Sequence, residues 1–337
     1  MKLLLILLLA LYLTQSLTAF GSHDEENQKT KKPSDYKIIL ILPGPINDQS
    51  WNATNYNGLI ASNKSLGTKI EYIENVRSGD FESTFRNYAE EGYDLIMAAG
   101  TQFDEAANNV AVYYPDTTFC VVNGMLSKFK NVTPIFPKEY EASYLAAIIA
   151  SHITENGKIA TVGGFPNRAM IDLLDVYEQT VSTFAQKNRD LEIIAYREYS
   201  NSWDDISLGK RMADEMIDKG ADVLFFYANQ VGLGAIQSAR ERGVKFIGFS
   251  SNQNSIAPET VVASIGFDFA SFYIWAISLY LDGKLEGKVN LAGIKEGIFI
   301  PYYSVHINKE IQNDVEQAYQ NVIDGNVDFD SMLSRSF

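Results

Sequence analysis

The sequence predicts an α/β protein built from two doubly wound lobes. Strand-like apolar runs alternate with helix-length segments almost without interruption, the alternation starts afresh midway, and 337 residues exceed one ordinary hydrophobic core. Short buried runs bounded by turn residues are the mark of parallel strands covered by helices on both faces.

Along the chain, the strand-like Ile38–Leu42 precedes a helix near Asn52–Ser65, Lys69–Ile73 precedes Phe81–Glu91, and Asp94–Ala98 precedes Phe103–Tyr114. Thr117–Val122 and Val132–Phe136 follow, then a long helix over Glu139–Ile153. The pattern restarts with Lys158–Val162, Met170–Lys187, Glu192–Tyr199, Ile206–Lys219, Asp222–Phe226, Gly232–Arg242 and Lys245–Gly248. After Val262–Ser264 an apolar helix, Phe269–Leu281, is expected back on the first lobe; Gly293–Tyr303 returns to the second, which Lys309–Ile323 closes. The expected division is 37–137 plus 265–291 for one lobe and 138–264 plus 292–337 for the other, with three crossovers. A ligand cleft is expected where the strand carboxyl ends of both lobes face each other.

The N-terminus reads as an export signal. Lys2 precedes an unbroken apolar run from Leu3 to Leu13, and Ala19-Phe20-Gly21 supplies the small residues of a cleavage site, so residues 1–21 are expected to be removed. The run is shorter than the roughly 18–20 residues that span a bilayer. No cysteine lies near the cleavage point, so the mature chain is expected to be soluble, periplasmic or extracellular, and not a lipoprotein. Residues 22–36 read as a flexible tether.

Net charge is −14, which argues against nucleic-acid or anionic-membrane partners, both of which need clustered Lys and Arg. The single cysteine, Cys120, can form no internal disulfide. The three histidines, His23, His152 and His306, lie far from any Ser, Cys or metal-ligand motif. HExxH, GxSxG, P-loop and paired-cysteine patterns do not occur, and Gly232-Leu233-Gly234 lacks the third glycine of a dinucleotide fingerprint. No enzyme, cofactor or metal is therefore expected. Sequons occur at Asn52, Asn63 and Asn131.

The loops after the strands hold the candidate site. Gly44-Pro45-Ile46-Asn47-Asp48-Gln49-Ser50-Trp51-Asn52, with Tyr56 one turn later, places a carboxylate, carboxamides and aromatic rings at a helix start. Phe103 follows Asp94–Ala98; Trp203, Asp204 and Asp205 follow Glu192–Tyr199; Asn229 follows Asp222–Phe226; Ser250 follows Lys245–Phe249. Aromatic faces and carboxamides at strand ends suit a flat, neutral heterocycle, which rings can stack on and amides can pair with. Each residue also has a plain structural reading: the tryptophans as lobe-surface packing, Asp204 or Asp205 as a helix cap, Tyr227 as core.

These motifs resemble the basic membrane protein (BMP, PnrA-like) family of substrate-binding proteins for ABC importers, with the type I periplasmic-binding fold. The carriers are the 44–52 stretch, Tyr72-Ile-Glu-Asn-Val, Glu141-Ala-Ser-Tyr-Leu-Ala, Asn201-Ser-Trp-Asp-Asp and Ile247-Gly-Phe-Ser-Ser-Asn-Gln. The resemblance implies a purine ligand delivered to an ABC permease by a monomer. It implies Asp48 as acceptor for the purine edge and Trp51 or Tyr56 with Trp203 or Phe103 as the aromatic sandwich, with Asn52 and Asn229 on the ring nitrogens. Nucleoside-binding members carry an acid where this chain has Ser250 and a lysine where it has Phe267. Loss of that sugar clamp implies a free base such as adenine. The rival expectations are a ligand-sensing receptor of the same fold and an enzyme acting on nucleosides.

Overall fold

The computed structural model describes residues 31–48 and 51–333. The expected signal (1–21), most of the tether, His23, and Gln49 and Ser50 of the first motif lie outside the described residues. The end of the tether is docked. Pro33–Asp35 forms a 3-10 turn, Lys31 pairs with Asp94, and Tyr36 meets Tyr280 edge-on at 5.6 Å.

The chain runs β1 (Lys37–Ile41), α1 (Trp51–Leu66), β2 (Lys69–Ile73), α2 (Phe81–Glu90), β3 (Leu95–Ala99), α3 (Asp104–Ala111), β4 (Thr118–Val122) and β5 (Ile135–Pro137). It continues through α4 (Glu139–Ile153), β6 (Lys158–Gly163), α5 (Arg168–Arg189), β7 (Ile194–Tyr199), α6 (Ile206–Asp218), β8 (Val223–Tyr227), α7 (Gln230–Arg242), β9 (Lys245–Ser250) and β10 (Val261–Phe267). The last elements are α8 (Phe269–Leu281), β11 (Asn290–Ala292), β12 (Phe299–Tyr303) and α9 (Lys309–Ile323). The two-lobe, doubly wound fold expected from the sequence is the one observed. One sheet has the order β11-β5-β4-β3-β1-β2 and is parallel; the other, β12-β10-β9-β8-β6-β7, is parallel except that β12 runs antiparallel to β10. Central strands such as β3 are buried along their whole length, whereas the edge strand β2 is mostly exposed, as the apolar runs dictate.

Local differences from the sequence reading have local causes. The expected strand at 132–136 shrinks to β5, with Val132 making only an isolated bridge to Phe119. Gly293–Tyr303 is broken by a 3-10 turn at Ile294–Glu296, because the chain changes sheets there. Residues 265–267, expected in the first lobe, are paired in the second sheet through β10.

Three crossings join the lobes: Lys138 between β5 and α4, Asp268 between β10 and α8, and Gly293–Ile298 between β11 and β12. They are stitched together. Lys138 N donates to Ala292 O at 2.7 Å, Ile294 N to Glu141 Oε2 at 2.7 Å, and Asp268 N to Ile298 O at 2.7 Å. Lys138 also forms an ion pair with Glu141, and Gly293 leaves room for it: a Cβ there would lie 2.7 Å from Lys138 Cε.

Helix α8 returns to lie against α1. Tyr273 Oη donates to Asn55 Oδ1 at 2.8 Å, with both residues fully buried, and Gly58 admits the Tyr273 ring, whose Cδ2 would sit 2.6 Å from a Cβ. Removing the hydroxyl strands a buried acceptor. Tyr273→Phe is therefore expected to lower unfolding free energy by about 1–3 kcal/mol, read as a lower urea midpoint; an unchanged midpoint would mean that the bond does not hold α8 on α1.

Candidate functional site

The first sheet presents its carboxyl ends through three loops. After β1, Asp48 holds the start of α1: its carboxylate accepts from Asn52 N at 2.9 Å, Asn52 Nδ2 at 2.8 Å and Ala53 N at 2.9 Å. Asn52 in turn accepts from Gly44 N at 3.1 Å, and its side chain fills the space a Cβ on residue 44 would need. The Gly-Pro turn, the acid and the carboxamide thus lock one another. Trp51 is half-buried; its Nε1 donates to Ala99 O at the end of β3 at 3.1 Å, and its ring meets Phe269 edge-on at 5.8 Å.

Two expected site residues are elsewhere. Phe103 is fully buried in the core of the first lobe, 3.9 Å between centroids from Phe81 and edge-on to Phe85, so it offers no face to a ligand. The apolar interior claimed it because the turn after β3 points the ring back under α2. Tyr56 packs edge-on against Tyr72 of β2 at 4.8 Å, on the sheet edge, because its place five residues beyond Trp51 turns it to another face of α1.

On the second lobe, the Trp203 ring packs against Gly164 beyond β6, in a space any side chain at 164 would occupy, and beside the part-exposed Phe165 at 5.5 Å. Its carbonyl accepts from Gln230 N at 2.9 Å, which fixes it to the loop carrying Asn229. Asp205 is a helix cap, accepting from Leu208 N at 2.8 Å, as the plain reading had it. Ser250 ends β9 exposed, opposite Gly266 of β10. The neighbouring Phe267 packs on Phe269 at 4.2 Å and on Phe299 at 5.3 Å. An aromatic series thus runs from Trp51 on the first lobe through Phe269 to Phe267 at the end of the second sheet.

Backbone strain marks the same rim. Asn123 (φ 59°), Asn201 (φ 50°), Asn229 (φ 46°) and Ser250 (φ 71°) have left-handed backbones and follow or end β4, β7, β8 and β9. Such conformations cost about 1–3 kcal/mol each and persist where surrounding structure fixes them.

The sequence reading missed two acidic sites. Asp104, at the start of α3, is buried; its Oδ2 accepts from Met125 N at 2.8 Å while Oδ1 has no partner, and neither has the buried Oδ1 of Asn123. Burial pushes the Asp104 carboxyl up, against the pull of the Met125 and Leu126 amides. The sequence signal for it is an acid four residues beyond the strand-end Gly100, at the first position of α3. The second is Glu139, which opens α4 and takes a hydrogen bond from Tyr227 Oη; burial pushes it up to about 7.

Charge is otherwise matched here. Arg77 and Arg168, near the strand ends, are paired with Asp80 and Asp172. Among the described residues no His, Cys, Asp and Glu group could hold a metal ion, and no helix is long and apolar enough to cross a membrane. Burial pushes the Cys120 thiol up to about 12, so it is not a nucleophile. The three sequon amides are engaged in the fold: Asn52 with Asp48, Asn63 with Thr68 O, and Asn131 with the carbonyls of Ala111, Tyr114 and Thr117. A depression of about 370 Å³ between α5 and the start of β7, lined by Glu178, Gln179 and Ile193, faces away from the strand carboxyl ends.

Comparison with known proteins agrees with this geometry. Residues 36–327 match the family described as ABC transporter substrate-binding protein PnrA-like, and the chain belongs to that family. Basic membrane protein B of Borrelia garinii subsp. bavariensis is 25% identical over 309 residues, covering 88% of this chain and 87% of that protein. The ABC transporter nucleoside-binding protein BmpA of Lactococcus lactis subsp. cremoris is 26% identical, covering 66% of this chain and 64% of that one. A crystal structure of a transcriptional activator of the comK gene from Bacillus halodurans superposes with a TM-score of 0.75 at 19% identity, over 87% of this chain and 99% of that one. The family is one of substrate-binding proteins that act outside the cytoplasm and not of enzymes, so the absence of a catalytic constellation in the sequence reading is explained.

The buried Asp104 gives a pH test. Its folded pKa lies above the unfolded value, so its contribution to stability is full below the unfolded carboxyl pKa of about 3.9 and is lost as pH rises through the folded value. The stability of Asp104→Asn relative to the native chain should therefore increase from about pH 4 to about pH 8. Urea midpoints over that range measure it, and a gap that does not change with pH counts against desolvation.

Proposed function

We propose that this protein captures a purine, with a free base such as adenine favoured over a nucleoside, and presents it to an ABC permease. One observation carries the reading: Trp51 with Asp48 and Asn52 on one lobe, and Trp203 with Asn229 on the other, come to strand carboxyl ends whose arginines are already paired. Such a mouth offers ring faces and amide edges, and among the described residues its two arginines each already face a carboxylate. The proposed sandwich is Trp51 against Trp203, with Asp48, Asn52 and Asn229 toward the ring edge and the orphaned Asp104 and Asn123 oxygens as further acceptors. By the family resemblance Ser250 and Phe267 take the places of the sugar-gripping acid and lysine, and the Phe267–Phe269 contact supports the smaller ligand. Ligand bridging both lobes would stabilise the closed form through contacts the open form lacks. In this proposal the mature protein acts as a monomer outside the cytoplasm.

The solved relative described as a transcriptional activator keeps a second reading in view, in which the same capture is read by a signalling partner. Loss of purine uptake on deletion of the gene supports transport; intact uptake with altered expression supports sensing.

Purified protein with adenine, guanine or hypoxanthine at about a hundredfold excess over Kd should gain about 2.7 kcal/mol of stability, seen as a higher Tm. No response to any base or nucleoside sinks the purine assignment, and tighter binding of nucleosides than bases reverses the order proposed. Trp203→Ala should weaken binding by about 1–3 kcal/mol, or roughly fivefold to 150-fold, by calorimetry. An unchanged Kd removes Trp203 from the site.

A further inference from the structure

The first crossing enters α4 at Glu139, and this carboxyl differs from the other acids of the hinge. Tyr227 Oη, on the last residue of β8, donates to its Oε1, and no other hydrogen bond or ion pair reaches the group among the described residues. The surrounding charges are engaged with other groups. Lys138 is paired with Glu141, Glu296 accepts from Gly293 N at 2.7 Å, and Asp172 of α5 is paired with Arg168. Asp330, in the turn beyond α9, acts on Tyr140 and not on Glu139. Oε2 of Glu139 is therefore without a partner, in a half-buried residue.

Its position is the foot of the cleft. Tyr227 stands two residues before Asn229 and packs edge-on to Phe249 at 4.3 Å, which directly precedes Ser250. The Glu139–Tyr227 pair thus sits between the hinge and two loops of the candidate site.

We propose that Glu139 is a ligand-recognition residue of this cleft, its Oε2 presented as a carboxylic acid O–H to a ring nitrogen of the bound base while Tyr227 fixes its orientation. The inference rests on the purine reading. Only the protonated acid can donate, so the proton becomes a co-ligand taken up from solvent whenever the free protein holds the carboxylate. Burial already favours the neutral form, with the group at about 7, and a base closing over it removes more water and raises it further. Tyr227 is suited to the positioning role because its own proton is held well beyond the range in which it would be lost.

The test is adenine affinity by calorimetry from about pH 5.5 to about pH 8.5, in buffers of different ionisation heat. For the native chain the affinity should be flat on the acid side and fall about tenfold per pH unit above neutrality, with close to one proton taken up there. Glu139→Gln keeps an N–H donor, so it should bind within about tenfold of native at acid pH and lose the pH dependence. Glu139→Ala should bind at least about tenfold more weakly at acid pH. One of 1-, 3- and 7-deazaadenine, each lacking one ring nitrogen, should show the same loss on the native chain and no further loss on Glu139→Ala. Affinity independent of pH in the native chain, or an unchanged pH profile in Glu139→Gln, overturns the role of Glu139 and leaves the purine reading standing. Absence of adenine binding at every pH overturns both.

Discussion

The arrangement depends on a buried carboxylate at the hinge. Glu141, with a side chain only 3% exposed, is held by Lys138 of the first crossing and by the Ile294 amide of the third. Burial pushes its carboxyl up, and these two partners pull it back. Breaking such a pair leaves an uncompensated charge inside the protein, so it constrains geometry more strongly than it adds stability. Gly293 follows from the same constraint, since the acid and the lysine occupy the space of a side chain there. With the crossings fixed relative to each other, the carboxyl ends of both sheets contribute to one space in the proposed function, and side chains distant in sequence would share it.

Within that space, rigidity precedes recognition. Asp48 and Asn52, the most suggestive polar residues in the sequence, spend hydrogen bonds on the α1 helix start and the Gly44 turn. Their arrangement places the Trp51 indole at a fixed height beside Ala99. The opposite lobe uses a different device, a glycine floor under Trp203 and strained asparagines at strand ends. Both leave the indole only partly buried. The Trp51–Phe269–Phe267 series joins the rim of one lobe to the sheet of the other across the second crossing. Movement of the lobes and occupation of the mouth would therefore act on the same rings.

The fold was legible in the sequence because its signals are local and repeated. Apolar runs of five or six residues, each followed by a turn and a helix, can satisfy their backbone and bury their side chains in few ways other than a parallel, doubly wound sheet. The restart of the alternation midway along the chain marks the two lobes, and the net charge argues against a nucleic-acid partner for reasons of chemistry that need no coordinates.

Which side chain faces the mouth was decided by tertiary structure. Phe103 and Trp203 read alike, as aromatic residues just beyond strands, yet one is sealed beneath α2 and the other lies over a glycine at the rim, because burial is set by what packs above each loop. Asp104 and Glu139 became distinctive only when burial pushed their carboxyls up, and in Asp104 left one oxygen without a partner. Periodicity along a chain determines which residues are apolar and which turn. The dielectric and the unmet hydrogen bonds around a single carboxyl depend on segments far apart in sequence, and only the assembled fold brings those together.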